Sequence, residues 1–173
     1  VYKRQIETIK FLDNFRKVEN NFLCYFIGGP SGKSGREYLE ELIQTVQDLN
    51  LESHIEFLDN LPQTEISDLL NKSKLLIHTS KFETFGLVAA EANAMGVPVL
   101  TTNSGSLLEI VENSKNGYYS DNLIDGNVNN FVKELLNNKD KFDEIMMNCL
   151  EKSKAYSWAN TATEIENIYK TFT

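Results

Sequence analysis

The chain has 173 residues, of which 41% are hydrophobic and 24% charged, and this length and composition suit one globular domain with a full core. Its formal net charge of -8 argues against non-specific binding to nucleic acids or to anionic membranes. No apolar run approaches the ~20 residues of a membrane-spanning helix, and no signal peptide opens the chain. Cys24 and Cys149 lack metal-ligand spacing and are typical of core-filling thiols in a reducing compartment, so we expect a cytoplasmic protein.

The first predicted element is a helix close to the start of the chain. Its apolar residues recur at near-helical spacing: Ile6, Ile9, Phe11 and Phe15. The apolar run at 22–27 then predicts a buried strand that ends at Gly28. Because an α/β domain seldom opens with a helix that no strand precedes, we expect the chain to be part of a longer protein.

Residues 28–34, Gly-Gly-Pro-Ser-Gly-Lys-Ser, partly match a nucleotide-binding P-loop. That motif requires a glycine five positions before Gly32, where this chain has Ile27. Pro30 also lacks an N–H group that the phosphate cradle would use. We therefore interpret the segment as a mobile, glycine-rich loop between a strand and a helix, and we do not expect nucleotide hydrolysis.

The next stretch predicts a helix, a strand and a second, shorter helix. Residues 36–49 carry an apolar stripe opposite acidic and polar residues. Residues 54–58 alternate enough to form a strand, and a turn at 59–62 follows it. Thr64 and Ser67 can cap or open the short helix that comes next.

Residues 75–101 form the unit on which the predicted fold depends. Two short apolar runs, 75–77 and 97–100, flank a helical segment that Gly96 and Pro98 bring to an end. The residues that recur there at helical spacing are Leu87, Val88, Ala90, Glu91 and Ala94. Strands joined by one such helix are parallel neighbours, which predicts an α/β fold: a Rossmann-like parallel sheet flanked by helices. The loop at 79–85 then lies at the carboxyl edge of the sheet, where such sheets bind ligands.

The polar groups of this loop and helix suit a ligand that carries phosphates beside hydroxyls. The backbone N–H groups of Phe85, Gly86 and Leu87 lie at the positive end of the helix, and Gly86 lets an anion approach closely. Glu83 precedes the helix, and Glu91 follows eight residues later, about 80° round the helix axis after two turns. Both carboxylates could accept hydrogen bonds from hydroxyls. Simpler interpretations remain: Glu83 as a residue favoured by the helix dipole, and Glu91 as part of a solvated face.

The remaining third of the chain predicts a loop followed by alternating short elements. The loop is at 102–106, and the predicted elements are a helix at 107–111, a strand at 116–119 and helices at 128–136 and 142–150. The final helix, 158–172, has an apolar stripe that no later element covers: Trp158, Ala162, Ile165, Ile168, Tyr169 and Phe172. We expect this stripe to be partly exposed or to be covered by a partner.

The segment Glu83-Thr-Phe-Gly-Leu-Val-Ala-Ala-Glu91, followed by Ala92-Asn-Ala-Met-Gly96-Val-Pro98-Val, resembles the E-x7-E signature of GT-B glycosyltransferases, in particular the retaining family 4, or group 1. In that family the stretch reads E-x-F-G-x-x-x-x-E-A-x-A-x-G-x-P-V, and this chain matches each fixed position. Two other family segments are similar: Gly105 with Glu109-Ile-Val111, where Ser104 replaces the first glycine, and Tyr156-Ser157-Trp158 before the last helix.

The resemblance spans nearly the whole chain and implies that residues 1–173 are the carboxyl-terminal, donor-binding domain of a GT-B enzyme. The amino-terminal acceptor domain and the catalytic residues would lie outside this chain. The implied reaction transfers a sugar from a UDP- or GDP-linked donor to an acceptor with retention at the anomeric carbon, without a metal or another cofactor. The implied sites are the donor sugar at Glu83, Phe85, Gly86 and Leu87, ribose at Glu91, diphosphate at Lys3, Gly86 and Leu87, and the base near Leu61.

The resemblance also implies partners. In the family, the final helix packs on the amino-terminal domain, which would give the stripe of 158–172 its partner. That other domain could hold the enzyme at a membrane surface, although this chain predicts no membrane insertion. Without it, we expect these 173 residues to bind a nucleotide weakly and to transfer nothing.

Several alternatives remain open at this point. The ring of Phe85 is expected to be a core side chain, with only its N–H group at the site. His78 is expected to be structural rather than catalytic, and Lys3 could equally be an ordinary surface lysine. Two other classes of protein fit the same features: a nucleotide-sugar epimerase of GT-B architecture, and a non-catalytic module that docks through its terminal stripe.

Overall fold

Short apolar runs form parallel strands in the computed structural model, which describes residues 3–172. In that range the strands are β1 Cys24–Ile27, β2 Ile55–Leu58, β3 Leu76–His78, β4 Val99–Thr101 and β5 Gly117–Tyr119. β1 pairs with β2, and β4 lies between β3 and β5. Every pairing is parallel, with Leu76 of β3 opposite Val99 of β4. The predicted parallel pairing of the strands around residues 75–101 is confirmed.

Helices connect the strands and close the chain. The α-helices are α1 Gln5–Phe15, α2 Gly32–Asp48, α3 Gln63–Lys72, α4 Leu87–Ala94, α5 Leu107–Ile110, α6 Gly126–Asn137, α7 Lys139–Ser153 and α8 Trp158–Lys170. One turn of 3-10 helix, Lys154–Tyr156, joins the last two. Val1, Tyr2 and Thr173 lie outside the described residues, so the domain boundary at 1–173 stays a prediction.

The strands form a two-stranded and a three-stranded sheet, and the core lies on both faces of the three-stranded one, because successive strand residues point to opposite sides. Val99 packs into a cluster with α4 and α5, whereas Leu100 packs into a larger cluster with α1, α2, α6 and α7. The phenylalanines of α1 are buried in that larger cluster, and so is Cys149. This arrangement confirms the predicted Rossmann-like α/β fold.

Two helices begin before the residues predicted to start or cap them. α2 begins at Gly32, so Gly32, Lys33 and Ser34 form its first turn and the preceding glycine-rich loop is shorter than expected. The N-cap of α3 is Pro62, and neither Thr64 nor Ser67 caps it. In both cases a proline precedes the first turn, where its fixed φ and missing N–H are compatible with a helix start.

The residues that recur at helical spacing in α4 are not the ones that the fold buries. Ala89, Ala92 and Asn93 are its buried residues, whereas Leu87 and Val88 are exposed. α4 packs against α7, β3 and β4, and small side chains on its inner face allow this close approach. Leu87 and Val88 therefore point away from the core, in the first turn of α4 after the 79–86 loop.

The apolar stripe of the terminal helix α8 is exposed to solvent, as expected. None of its residues is buried, and Trp158 is 88% exposed. The other large exposed hydrophobic residues of the stripe are Ile165, Ile168, Tyr169 and Phe172. Within residues 3–172, no helix combines the length and the hydropathy needed to cross a membrane.

Candidate functional site

Glu83 is the centre of the candidate site, in the loop between β3 and α4. Its Oε2 atom accepts a hydrogen bond from Lys3 Nζ at 2.8 Å and lies 3.0 Å from His78 Nε2. Its Oε1 atom lies 3.3 Å from the backbone nitrogen of Thr84, which donates to it. The Glu83 side chain is 16% exposed and that of Lys3 is 54% exposed. The fold thus brings together two predicted site residues that are 80 positions apart in sequence.

These contacts determine the charges at the site. The hydrogen bond from Lys3, followed by the one from His78, lowers the pKa of Glu83 from 4.5 to about 2, although burial opposes the shift. Burial is the main cause that lowers the pKa of His78 below its ordinary 6.5. At neutral pH, Glu83 is therefore ionised and His78 is uncharged. A neutral imidazole with its proton on Nε2 can donate to the carboxylate.

The first turn of α4 lies beside this carboxylate. Gly86 is its N-cap with φ +89°, and a methyl group at that position would come within 3.6 Å of Glu83 Cγ. The carbonyl of Gly86 accepts from the backbone nitrogens of Ala89 and Ala90. Among residues 3–172 no side chain caps this helix, and its first turn has no acidic residue. The backbone N–H groups at this end are suited to an anion.

The structure places the other predicted site residues as follows. Leu87 is 65% exposed at the start of α4, and Glu91 lies one turn later on the same exposed face. Leu61 is half-buried in the loop between β2 and α3, also at the carboxyl end of a strand. The contacts of these residues with a donor stay predictions.

The expectation that Phe85 is a core residue was wrong. Its side chain is 49% exposed, and its ring packs edge-on against Tyr156, with 6.3 Å between the centroids. The space behind this end of α4 is filled by the buried Leu107 and Ile110, which approach Gly86. The ring of Phe85 therefore lies on the surface, near the site.

Two groups that support the site were not predicted from the sequence. The loop after β4 braces the Glu83 loop: Ser106 Oγ donates to the carbonyl of Glu83 at 3.2 Å, and Thr102 Oγ1 donates to that of Ser80 at 2.8 Å. At the end of β3, Thr79 bonds to the backbone of Lys3. Hydroxyl residues in the segments after β3 and β4 were the sequence signal, but it does not show these contacts, because they are with distant backbone atoms.

Metal-binding chemistry has no candidate in the part of the chain that the structure describes. No group of three or more His, Cys, Asp or Glu side chains there is arranged to hold a metal ion. Burial raises the pKa of both Cys24 and Cys149 to about 12. Neither thiol is therefore a nucleophile at neutral pH.

We expect the folded chain to lose stability as the pH falls through about 6.5, with His78 as a contributor. Because the folded-state pKa of His78 lies below 6.5, the unfolded chain takes up a proton that the folded chain does not. Unfolding is then favoured as the pH falls through about 6.5, until the lower folded-state pKa is reached. Urea unfolding at several pH values measures the slope.

The control for this prediction is His78→Gln, which keeps a hydrogen-bond donor for Glu83 but does not titrate. Its unfolding free energy should depend less on pH in this window than that of the wild type. Glu83 does not interfere, since its own pKa change from 4.5 to about 2 affects stability only below about pH 4.5. Equal slopes in the two proteins would contradict the prediction.

The parallel sheets and their flanking helices have the fold of a carboxyl-terminal Rossmann-like domain of GT-B architecture. The family model described as "Glycosyl transferases group 1" matches residues 2–154. The chain therefore belongs to the group 1 glycosyl transferases.

Similar sequences include a D-inositol 3-phosphate glycosyltransferase of Nocardioides sp., 30% identical over 160 residues, which cover 89% of this chain and 35% of that protein. A GDP-Man:Man(3)GlcNAc(2)-PP-Dol alpha-1,2-mannosyltransferase of Dictyostelium discoideum is 24% identical over 98% of this chain and 34% of its own length. The chain thus spans about a third of the length of the curated relatives it matches.

Similar solved structures include that of Anabaena HepE in complex with UDP and glucose. Its TM-score is 0.80, with 24% identity over 99% of this chain and 45% of that one. The sucrose-phosphate synthase of Thermosynechococcus elongatus has a TM-score of 0.81, with 22% identity over 99% of this chain and 43% of that one. At this level of identity, both indicate a shared fold.

Proposed function

We propose that this chain is the donor-binding domain of a retaining glycosyltransferase that uses a nucleotide-diphosphate sugar. The observation that carries the proposal is the 2.8 Å contact between Lys3 and Glu83. It places a cation suited to phosphate next to a carboxylate suited to hydroxyls. In a nucleotide sugar, the diphosphate and the sugar hydroxyls are neighbours in the same way.

Each part of the site has one role in this proposal. The leaving diphosphate gains negative charge as the bond to the sugar breaks, and Lys3 and the first N–H groups of α4 stabilise that charge without a metal. Glu83 accepts hydrogen bonds from the sugar and positions its anomeric carbon. The exposed Glu91 accepts hydrogen bonds from ribose, and the backbone near Leu61 contacts the base.

The comparisons support this choice over the alternatives. The curated relatives are named as glycosyltransferases, one with a GDP-mannose donor in its name, and the Anabaena structure contains UDP. An epimerase therefore has less support than a transferase. We propose UDP- or GDP-linked sugars as donors, a cytoplasmic location, and an acceptor and catalytic residues supplied by another domain.

We also propose that this other domain packs on α8. The helix and the turn after it expose Trp158, Ile168, Tyr169 and Phe172 to solvent, and burial of such side chains stabilises an interface by about 1.5–3 kcal/mol each. Slower amide hydrogen exchange in α8 of the longer protein than in the 173-residue chain tests this proposal. Equal exchange in both would contradict it.

The proposed function is tested by calorimetric titration of the 173-residue chain with UDP, GDP, UDP-glucose and GDP-mannose. We expect weak binding that is selective for one base, and a loss of about tenfold or more in Glu91→Ala, because a hydrogen bond to a charged group contributes about 1.5–3 kcal/mol. Glu134→Ala, at an exposed glutamate of α6, is the matched control and should bind as the wild type does.

The outcomes separate the three classes of protein. No binding of any nucleotide would exclude the donor-binding function and favour an interaction module. Transfer of sugar to an acceptor by the 173 residues alone would refute the proposal that this piece is inactive. Analysis of the products formed by the longer protein distinguishes transfer from epimerisation.

A further inference from the structure

A buried hydroxyl at the end of β3 joins the strand to the start of the chain. Thr79 is 3% exposed, and its Oγ1 atom lies 2.8 Å from the carbonyl oxygen of Lys3 and 3.1 Å from that of Arg4. The same atom lies 3.1 Å from Oγ1 of the buried Thr8, on α1. A hydroxyl has one proton and two lone pairs, so it can donate to a carbonyl while it accepts from Thr8.

The backbone that this hydroxyl contacts has an unusual conformation. Arg4 is the N-cap of α1 and has φ +51° and ψ 41°, in the left-handed region that non-glycine residues rarely adopt. Such a conformation persists where the surrounding structure holds it in place. The one hydroxyl proton of Thr79 is donated to the Lys3 carbonyl, the nearer of the two, or is shared with the Arg4 carbonyl, and this contact holds the bend that precedes the helix.

Two consecutive residues at the end of β3 contact Lys3 and Glu83. His78, the last residue of β3, contacts the Glu83 carboxylate at 3.0 Å, and Thr79, the next residue, contacts the backbone of Lys3. The ammonium group of a lysine is carried on a flexible stem of fixed length. The position of the Lys3 backbone therefore limits which groups that ammonium can reach.

We propose that Thr79 is a positioning residue of the donor site: its hydroxyl fixes the backbone of Lys3 and thereby sets the ammonium group against Glu83. The consequence for donor binding rests on the function proposed above, but the placement of Lys3 does not. A purely structural threonine would affect stability and leave the position of the ammonium group unchanged.

The first test needs no donor. The charged groups that act on His78 are Glu83 and Lys3, and the positive charge of Lys3 lowers the pKa of His78. Thr79→Val keeps the shape of the side chain but removes the hydroxyl, so the ammonium group of Lys3 should move away from its place beside Glu83. The pKa of His78 should then rise toward the value measured in Lys3→Met, in which that positive charge is absent. The chain has only two histidines, His54 and His78, so NMR titration resolves them.

Two variants control this titration. Thr79→Ser keeps the hydroxyl and should keep the wild-type pKa of His78. Thr8→Val removes the partner of Thr79 on α1 but not its bonds to Lys3 and Arg4, and should also leave that pKa unchanged. A wild-type pKa in a folded Thr79→Val protein would overturn the proposal.

The second test measures affinity for UDP-glucose and GDP-mannose. Thr79→Val should weaken binding severalfold, and the double variant with Lys3→Met should bind no more weakly than Lys3→Met alone, since Thr79 acts through Lys3. Additive losses would overturn the proposal. If the wild type binds neither donor, the proposed function fails while the titration still decides the role of Thr79.

If Thr79→Val does not fold, Thr79→Ala and Thr79→Ser give the same comparison. Folding of the serine variant alone would show that the hydroxyl supports the fold itself, and this would overturn a specific positioning role. A folded alanine variant with a raised His78 pKa would support it.

Discussion

Replacement of Gly86 by alanine is expected to destabilise the chain by about 2 to 5 kcal/mol, through two separate costs. At φ +89° an L-residue is strained by about 1–2 kcal/mol. The new Cβ would also lie 2.7 Å from Leu107 Cδ2 and 3.2 Å from Ile110 Cδ1, both in buried side chains with little freedom to move. Urea unfolding of wild type and variant measures the loss.

Two other glycines separate these costs. Gly32 has φ +67° but no atom within 4 Å of an added Cβ, so Gly32→Ala should cost only the conformational strain of about 1 kcal/mol. Gly126 has open space and no positive φ, so Gly126→Ala should be neutral or slightly stabilising. A loss in Gly86→Ala no larger than that in Gly32→Ala would contradict the packing argument.

The loop before α4, with its glycine at position 86, is the part of the candidate site that could be predicted from the sequence. The loop, the glycine and the first turn of α4 are adjacent in sequence, so the spacing of Glu83, Gly86 and the following helix already predicts them. The strands on either side were short apolar runs joined by one helix, which fixes their parallel pairing. The α/β fold follows from the same local pattern.

Features that depend on contacts across the fold could not be predicted in this way. The sequence shows Thr79 only as a polar residue after a strand, and its bond to the Lys3 backbone exists because α1 packs beside β3. The exposure of Phe85 and Leu87 has a similar origin. The space next to Gly86 is occupied by α5, which begins at Leu107, 21 residues later, so large apolar residues at the start of α4 remain outside the core.

The contact of Lys3 with Glu83 also depends on the fold. A family motif indicated a phosphate-binding lysine before the first helix, but any surface lysine would look alike. Only the fold places its Nζ atom 2.8 Å from Glu83. In the chain without a donor, Lys3 and Glu83 bind each other. A nucleotide sugar must therefore either bind beside this ion pair or replace it.

Glu83→Gln is therefore expected to weaken the binding of a nucleotide sugar by about 10- to 100-fold, because it removes a charged hydrogen-bond acceptor for the sugar hydroxyls. The affinity for the nucleotide diphosphate without its sugar should be unchanged or higher, since Lys3 is released from the carboxylate and can bind the phosphates. Calorimetry with UDP and UDP-glucose, or with GDP and GDP-mannose, measures both affinities.

The controls for Glu83→Gln use the other two predicted contacts. Glu91→Gln should weaken the nucleotide and the nucleotide sugar to the same extent, because both contain ribose. Lys3→Met should also weaken both, because both contain the diphosphate. The ratio of the two affinities should therefore change only in Glu83→Gln. An equal loss for both ligands in that variant would mean that Glu83 organises the phosphate end, through Lys3, and does not contact the sugar.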